Sequence, residues 1–253
     1  MAVNNEILID YILHLADNSM ILGQRNAEWC GHGPVLEQDI ALTNITLDLI
    51  GEARSLYQYA AELTGGNSTE DTVAFLRDVM QYRNTLLVEQ HNTDWAYTIT
   101  RQFFYDVFHY YLQEALVNSA DQRIKEIAKK TIKESAYHLK WSSEWMIRLG
   151  DGTEISHLKM QNAVSALWEY TGEFFIPSAT EAEMTGIGIA PDLALLSQKW
   201  KSKVEDILTE ATLSIPSSDF QQKGGKKGLH SEHLGFILAE MQYLQRAYPG
   251  SEW

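Results

Sequence analysis

Proline is missing from the long stretch between Val35 and Tyr170, although five prolines occur among the 253 residues. Proline removes a backbone donor and clashes with the preceding helical turn, so its absence lets helices run without interruption. Apolar residues recur in this stretch at helical spacing. The clearest series is Trp95, Ile99, Phe103, Val107 and Tyr111. With no strand pattern and no internal repeat, the sequence predicts an all-α protein with a single domain over residues 1–253.

Capping and glycine signals divide the chain into eight predicted helices. The first three cover residues 6–29, 35–63 and 69–89. The fourth is capped by Asn92 or Thr93, and the fifth begins at Ser119 or Asp121 and ends at Gly150. The last three cover residues 154–170, 192–210 and 229–246, and an irregular but packed loop is expected over 171–191.

Five consecutive long helices joined by short loops are typical of a helix bundle. A bundle of this length is either ferritin-like or a coiled-coil scaffold, and the lack of strict heptads disfavours the coiled coil. The predicted fold is therefore a ferritin-like four-helix-bundle core, formed by helices within residues 35–150, with additional helices. Gly51 weakens the second helix by roughly 1 kcal/mol relative to Ala. Its presence indicates either a close helix–helix contact or neutral drift of the sequence at this position.

The formal net charge of −14 makes nucleic acid and anionic lipid unfavourable partners. No run of about 18 apolar residues is present, and the first residues lack the basic region of a signal peptide, so we expect a cytoplasmic protein with no membrane association. The single cysteine, Cys30, excludes an intrachain disulfide and is interpreted as a partly buried structural residue. The basic residues Lys223, Lys226 and Lys227 are interpreted as a solvated linker rather than a phosphate contact.

Helix bundles that hold two irons need Glu-x-x-His on two helices and one further carboxylate from each of two others. Only Asp106-x-x-His109 and Glu154-x-x-His157 approach this spacing. His138 follows Glu134 by four residues, which turns it about 100° away from the i+3 position. Carboxylates suited to the remaining places are Asp48 and Asp78. The pattern favours buried, hydrogen-bonded polar residues over a working metal centre.

Several long segments resemble the PaaC-type, non-catalytic subunits of the ring 1,2-phenylacetyl-CoA epoxidases. They include ILGQRNAEWCGHGPVLEQDIALTNITLDLIGEARSLY (21–57), FLRDVMQYRNTLLVEQ (75–90) and KESAYHLKWSSEWMIRLGDGTEISH (133–157). LWEYTGEFF (167–175) and GLHSEHLGFILAEMQYLQRAYPG (228–250) extend the resemblance over nearly the whole chain.

The resemblance implies a ferritin-like structural subunit of a bacterial multicomponent monooxygenase. A catalytic sister subunit would hold the di-iron centre and epoxidise the ring of phenylacetyl-CoA, with electrons from NADPH passing through FAD and an iron–sulfur cluster of a reductase. This chain would bind the catalytic subunit and other subunits of the complex, and would carry no cofactor and no catalytic residue of its own. Asp48, Asp78, Asp106, His109, Glu134 and His138 would then be degenerate ligand positions.

The resemblance also implies that two short segments lie near the substrate thioester or the partner. They comprise Leu76, Arg77, Asp78, Ile176, Pro177 and Ser178. Arg77 is interpreted as a member of a surface or intrahelical ion pair rather than a phosphate ligand. Two other functions stay open at this point. One is a stand-alone di-iron or di-manganese oxidoreductase, which would gain thermal stability with metal. The other is a helical scaffold that binds unrelated proteins through an apolar face.

Overall fold

The computed structural model describes residues 4–218 and 220–251, and these form α-helices joined by turns, with no strand among them. The α-helices, in chain order, are α1 Asn5–Ala27, α2 Leu36–Thr64, α3 Glu70–Phe75, α4 Leu86–Glu89, α5 Trp95–Leu116, α6 Gln122–Gly150, α7 Glu154–Leu167, α8 Ala179–Gly186, α9 Leu193–Glu210, α10 Glu232–Met241 and α11 Tyr243–Ala247. The all-α class is confirmed, with the long helices of a ferritin-like fold. No helix of this described part is both long and apolar enough to span a membrane.

Contacts divide the described residues into two compact units. The first unit comprises residues 4–91, 178–184 and 224–251. The second comprises residues 92–177, 185–218 and 220–223. Each unit contains one pair of long helices, α1 with α2 in the first and α5 with α6 in the second.

Helices α1 and α2 of the first unit pack antiparallel. The Tyr57 hydroxyl on α2 donates to Asp17 on α1, at 2.7 Å, and Ser19 on α1 donates to Glu52 on α2, at 2.9 Å. Asn4 caps the start of α1, and Gly65 ends α2 with a positive φ of 73° that favours glycine. Both helix ranges agree with the sequence prediction to within two residues.

The third predicted helix, 69–89, is wrong. Helix α3 ends at Phe75, a short 3-10 helix covers Val79–Gln81, and α4 covers only Leu86–Glu89. Tertiary hydrogen bonds compete with the helix here, because Asp17 accepts from the Arg83 backbone N–H at 2.7 Å and Asn18 accepts from that of Thr85 at 2.9 Å. Apolar spacing alone did not reveal these buried side-chain acceptors on α1.

Helices α5 and α6 of the second unit also pack antiparallel, with Thr100 beside Met146. Asp121 caps α6 as one of the two predicted residues, whereas α5 is capped by Asp94 rather than by Asn92 or Thr93. Helices α7 and α9 pack against this pair, and the Trp200 indole of α9 donates to the Phe104 carbonyl at 2.9 Å. The predicted range of α9 is confirmed.

The predicted loop at 171–191 contains more regular structure than expected. A 3-10 helix covers Gly172–Phe175, and α8 covers Ala179–Gly186. Its expected packing is confirmed, because Phe174 is fully buried and stacks on Phe108 with ring centroids 4.4 Å apart. The last predicted helix, 229–246, is divided at Gln242 into α10 and α11. Cys30 is exposed, not partly buried, since it lies in the turn that follows α1.

Candidate functional site

A buried carboxyl lies at the packing surface between α5 and α6 in the second unit. Asp106 on α5 has no solvent exposure. The Gln102 amide, one turn earlier on the same helix, donates to its Oδ1 at 2.6 Å. Ser142 and His138 approach from α6, and His109 follows one turn later on α5. The structure therefore brings together three of the predicted ligand positions, Asp106, His109 and His138.

The two imidazoles beside Asp106 are buried as well. The Gln113 amide donates to Nε2 of His109 at 3.0 Å, and the His109 ring stacks on Tyr105 with centroids 5.1 Å apart. Oδ1 of Asp106 and Nε2 of His109 are thus each engaged by a side-chain amide. The site resembles a polar core cluster of carboxyl, amide, hydroxyl and imidazole groups.

The electrostatics of this cluster are unusual for an aspartate. Burial raises the pKa of Asp106 to about 6, and the neighbouring His138, Ser142, Gln102 and His109 offset only part of that effect. The carboxyl consequently changes its protonation near neutral pH, unlike an exposed aspartate. A buried acid with such a pKa can hold or release a proton.

The remaining predicted ligand positions are Glu134, Asp48 and Asp78. Glu134 is half-buried on α6, one turn before His138. Asp48 is half-buried on α2, and Asp78 is exposed at the start of the 3-10 helix, where its carboxylate pairs with Arg246 at 3.0 Å; both belong to the first unit. Within the described part of the chain, no group of three or more His, Cys, Asp or Glu side chains is arranged to hold a metal ion.

A second polar centre, not predicted from the sequence, surrounds Asp17 in the first unit. Asp17 is fully buried on α1 and forms a two-pronged ion pair with the Arg77 guanidinium, in which Nη1 lies 3.0 Å from Oδ2 and Nη2 contacts Oδ1. The same guanidinium also donates to the Val73 carbonyl at 2.6 Å and lies 4.2 Å from the ring centre of Tyr82. Burial opposes the charge of Arg77, but Asp17 raises its pKa above the ordinary value.

Glu181 on α8 forms a third buried centre. Its carboxylate accepts from the Lys226 ammonium at 2.9 Å and faces Nε2 of His14 at 3.2 Å. Burial alone would raise the pKa of Glu181, but His14 and Lys226 together lower it to about 2. Lys226 is therefore a buried anchor, and the prediction of a solvated linker at this residue is wrong.

The glycines around Lys226 explain how its loop reaches the interior. A Cβ atom on Gly225 would lie 2.1 Å from the Asn84 carbonyl oxygen, and one on Gly228 would lie 2.2 Å from that of Met80. Gly228 also has a φ of 78°, which other residues rarely adopt. These glycines are the sequence signal from which the close packing of this loop could have been predicted, although the segment was interpreted as a solvated linker.

Glu89 is a further buried carboxylate of the first unit. It accepts from Asn84 at 2.8 Å and from the Ser231 backbone N–H at 2.6 Å, and its Oε2 lies 2.8 Å from Nδ1 of His230. The other ring nitrogen of His230 faces the Tyr82 carbonyl at 3.1 Å. Both ring nitrogens of His230 therefore face oxygen atoms that can accept hydrogen bonds.

Comparison with known proteins decides the family. A family model described as phenylacetic acid catabolic protein matches residues 1–253. A curated relative from Escherichia coli (strain K12), the C component of 1,2-phenylacetyl-CoA epoxidase, is 49% identical over 246 residues, or 97% of this chain and 99% of the relative. The chain belongs to the phenylacetic acid catabolic protein family. This confirms the resemblance that the sequence segments indicated.

Within this family member, residues 76–78 border a surface groove of the first unit. Leu76 is exposed, Arg77 is turned inward to Asp17, and Asp78 lines the groove. The groove has a volume of about 500 Å³. Its other lining residues include Val79, Leu238, Gln242, Tyr243 and Arg246. Arg77 thus belongs to an ion pair, as expected over a phosphate contact, but the pair is buried and joins separate elements.

The second predicted segment divides between the units. Ile176 and Pro177 are exposed and belong to the second unit. Ser178 belongs to the first unit, where its hydroxyl accepts from the Glu181 backbone N–H at 3.1 Å and its own N–H donates to the Glu181 carboxylate at 2.7 Å. Ser178 therefore helps to position Glu181 at the start of α8.

Proposed function

We propose that this chain is the structural subunit of a multicomponent di-iron monooxygenase that epoxidises the ring of phenylacetyl-CoA in aerobic phenylacetate catabolism. It binds and supports a catalytic subunit that holds the di-iron centre, and it carries no metal centre or cofactor itself. A reductase with FAD and an iron–sulfur cluster supplies electrons from NADPH. The observation that carries the proposal is the 49% identity to a component of 1,2-phenylacetyl-CoA epoxidase over nearly the full length of both chains.

The chemistry of the buried carboxylates supports a structural role. Asp17 and Glu181 are each balanced by a basic side chain of this chain, and Glu89 faces the His230 imidazole. Asp106 is held by an amide and is arranged as a core polar group rather than as an open ligand. Buried ion pairs and hydrogen bonds of this kind stabilise one conformation of a helical scaffold, which is what a supporting subunit has to provide. Residues 76–78 and 176–178 remain proposed as partner- or substrate-proximal positions.

The test compares the isolated chain with the reconstituted complex. We expect the isolated chain to contain far less than one iron per chain and to give no NADPH-dependent epoxidation of phenylacetyl-CoA. The complex with the di-iron subunit and the reductase should show both iron and turnover, and omitting this chain should lower the turnover. Stoichiometric iron together with turnover in the isolated chain would overturn the proposal and favour the stand-alone oxidoreductase.

A further inference from the structure

The outer side of α2 exposes an apolar face in the first half of the helix. Leu36 is 71% exposed, Ile40 is 52% exposed and Leu47 is 61% exposed. Their spacing places them on one side of the helix, together with the half-buried Thr43 and Gly51. These five residues, which we name the α2 stripe, extend over about four helical turns. Three large aliphatic side chains aligned in this way are more than isolated surface residues.

The described residues leave the space beside Gly51 open. A Cβ atom at this position would meet no atom within 4 Å, so no neighbouring helix approaches it. The close intrachain contact that its sequence position indicated is therefore absent among the described residues. Glycine weakens a helix interior, and it gives a second helix room to approach closely when that helix lies outside the chain.

The charges around the stripe restrict what can cover it. Residues 36–53 include the acidic Glu37, Asp39 and Asp48 and contain no Lys or Arg. Glu52 is also present, but it is buried and accepts from Ser19. Asp39 stays ionised, because backbone N–H groups of Gly31 and Gly33 lower the pKa of its carboxyl. Arg54, three residues after Gly51, lies on the same side of the helix and pairs with Glu70 at 3.3 Å. Along residues 36–51 the stripe is thus an apolar ridge with acidic borders, and this ion pair lies at its end.

A second copy of the chain fits these borders poorly. It would bring the same acidic residues against the stripe, and each copy carries a net charge of −14. An apolar helix face bordered by Lys and Arg complements both the ridge and its edges. The structure therefore favours a different chain as the occupant.

We propose that the α2 stripe binds the companion catalytic subunit, which contributes an apolar helix face bordered by basic side chains. This inference rests on the proposed function, since it names the surface through which that function is exerted. Central aliphatic residues in such a contact contribute most of the affinity, whereas charged border residues control the association rate and its salt dependence.

The test measures binding of the full chain to the purified di-iron subunit by titration. We expect the double variant Ile40→Glu/Leu47→Glu to raise Kd by about 100-fold or more. Gly51→Leu should raise Kd by about tenfold, because its side chain occupies the space of the partner helix. Binding by the wild-type chain should weaken as salt rises, and Glu37→Lys should reduce that salt dependence.

The matched control is Leu195→Glu on α9, because Leu195 is 58% exposed and lies outside the stripe. It should leave Kd within about twofold of the wild-type value, as for an ordinary surface change. Gly51→Leu also controls for misfolding, since the open space at Gly51 and the better helix propensity of Leu should preserve or raise the melting temperature of the isolated chain.

Each outcome has a distinct meaning. If the stripe variants bind the di-iron subunit as tightly as the wild-type chain, the surface is wrong although the proposed function stands. If the wild-type chain does not bind the di-iron subunit, the proposed function fails and this inference fails with it. If light scattering shows a wild-type dimer that the stripe variants dissociate, while binding to the di-iron subunit is unchanged, the occupant is a second copy and the proposal is overturned.

Discussion

The two long helix pairs of this protein have similar architecture but opposite electrostatics. In the first unit, the buried carboxylates on and around α1 are balanced by basic side chains, as with Asp17 and Arg77 or Glu181 and Lys226. In the second unit, Asp106 on α5 is surrounded by amide, hydroxyl and imidazole groups. The pKa of Glu181 is accordingly lowered to about 2, whereas that of Asp106 is raised to about 6. Burial disfavours the charged form of both carboxylates, and a cation beside the carboxylate decides whether that effect is overcome.

The Asp17–Arg77 pair gives the largest expected effect. Arg77→Met leaves the fully buried Asp17 without its cation, and we expect the free energy of unfolding to fall by about 3–5 kcal/mol in urea titrations. The exposed pair of Arg54 and Glu70 provides the control, because Arg54→Met should change stability by less than about 1 kcal/mol. Equal effects of the two substitutions would show that Arg77 is not part of a buried ionic centre.

The ionised Glu181 carboxylate should make the free energy of unfolding depend on pH in the acidic range. Its folded-state pKa of about 2 lies below the ordinary value of 4.5, so its contribution is fully present above pH 4.5 and is lost as pH falls towards 2. This difference corresponds to about 3 kcal/mol as an order of magnitude. In Glu181→Gln, the slope of unfolding free energy against pH should be shallower between pH 4.5 and 2 than in the wild-type chain. An unchanged slope would contradict the ion-pair assignment.

Asp106 should behave in the opposite direction. Its folded-state pKa of about 6 exceeds the ordinary value of 3.8, so its favourable contribution is present below pH 3.8 and is lost as pH rises through 6. Asp106→Asn, which keeps the shape without the charge, should therefore stabilise the chain by about 1–3 kcal/mol at pH 8 and by almost nothing below pH 4. Thermal melts at the two pH values check this. Destabilisation at pH 8 would indicate that the charged form is the one the fold requires.

Substitutions at two helical glycines should have effects of opposite sign, and that at Gly51 should be the smallest of those considered. Gly51→Ala in the first unit should raise stability by about 0.5–1 kcal/mol, because its Cβ meets open space and Ala favours the helix. Gly150→Ala in the second unit should lower stability by about 1–3 kcal/mol, since its Cβ would lie 2.5 Å from the Ala211 carbonyl oxygen. Chemical denaturation of both variants measures the difference. A stabilised Gly150→Ala would contradict the close packing of α6 with the end of α9.

The helices that the sequence predicted correctly are those whose signals are local. Asn4 and Asp121 cap α1 and α6 through their own neighbours, and Gly65 ends α2 through its backbone conformation. The i, i+3 spacing likewise identified Asp106 with His109, because both belong to one helix. Such interactions depend on residues within one turn, which is the range that spacing and capping rules describe.

The buried ion pairs of the first unit could not be predicted by such local rules, because their partners are far apart in the sequence. Arg77 meets Asp17 across 60 residues, Lys226 meets Glu181 across 45, and His230 meets Glu89 across 141. Nothing in the local sequence distinguishes Lys226 from a solvated lysine except the glycines around it. The same long-range bonds interrupt the predicted third helix, because buried acceptors on α1 bind the backbone at Arg83 and Thr85.

The sequence by itself therefore determined the all-α class, most helix ends and the family, since these depend on local periodicity, caps and long matching segments. The tertiary structure alone decided which carboxylates are balanced by cations, where the Arg77 and Lys226 side chains point, and that the described residues leave the space beside Gly51 open. The physical reason is that burial and Coulomb interactions depend on distance in space, and residues far apart in sequence set that distance only after the helices have packed.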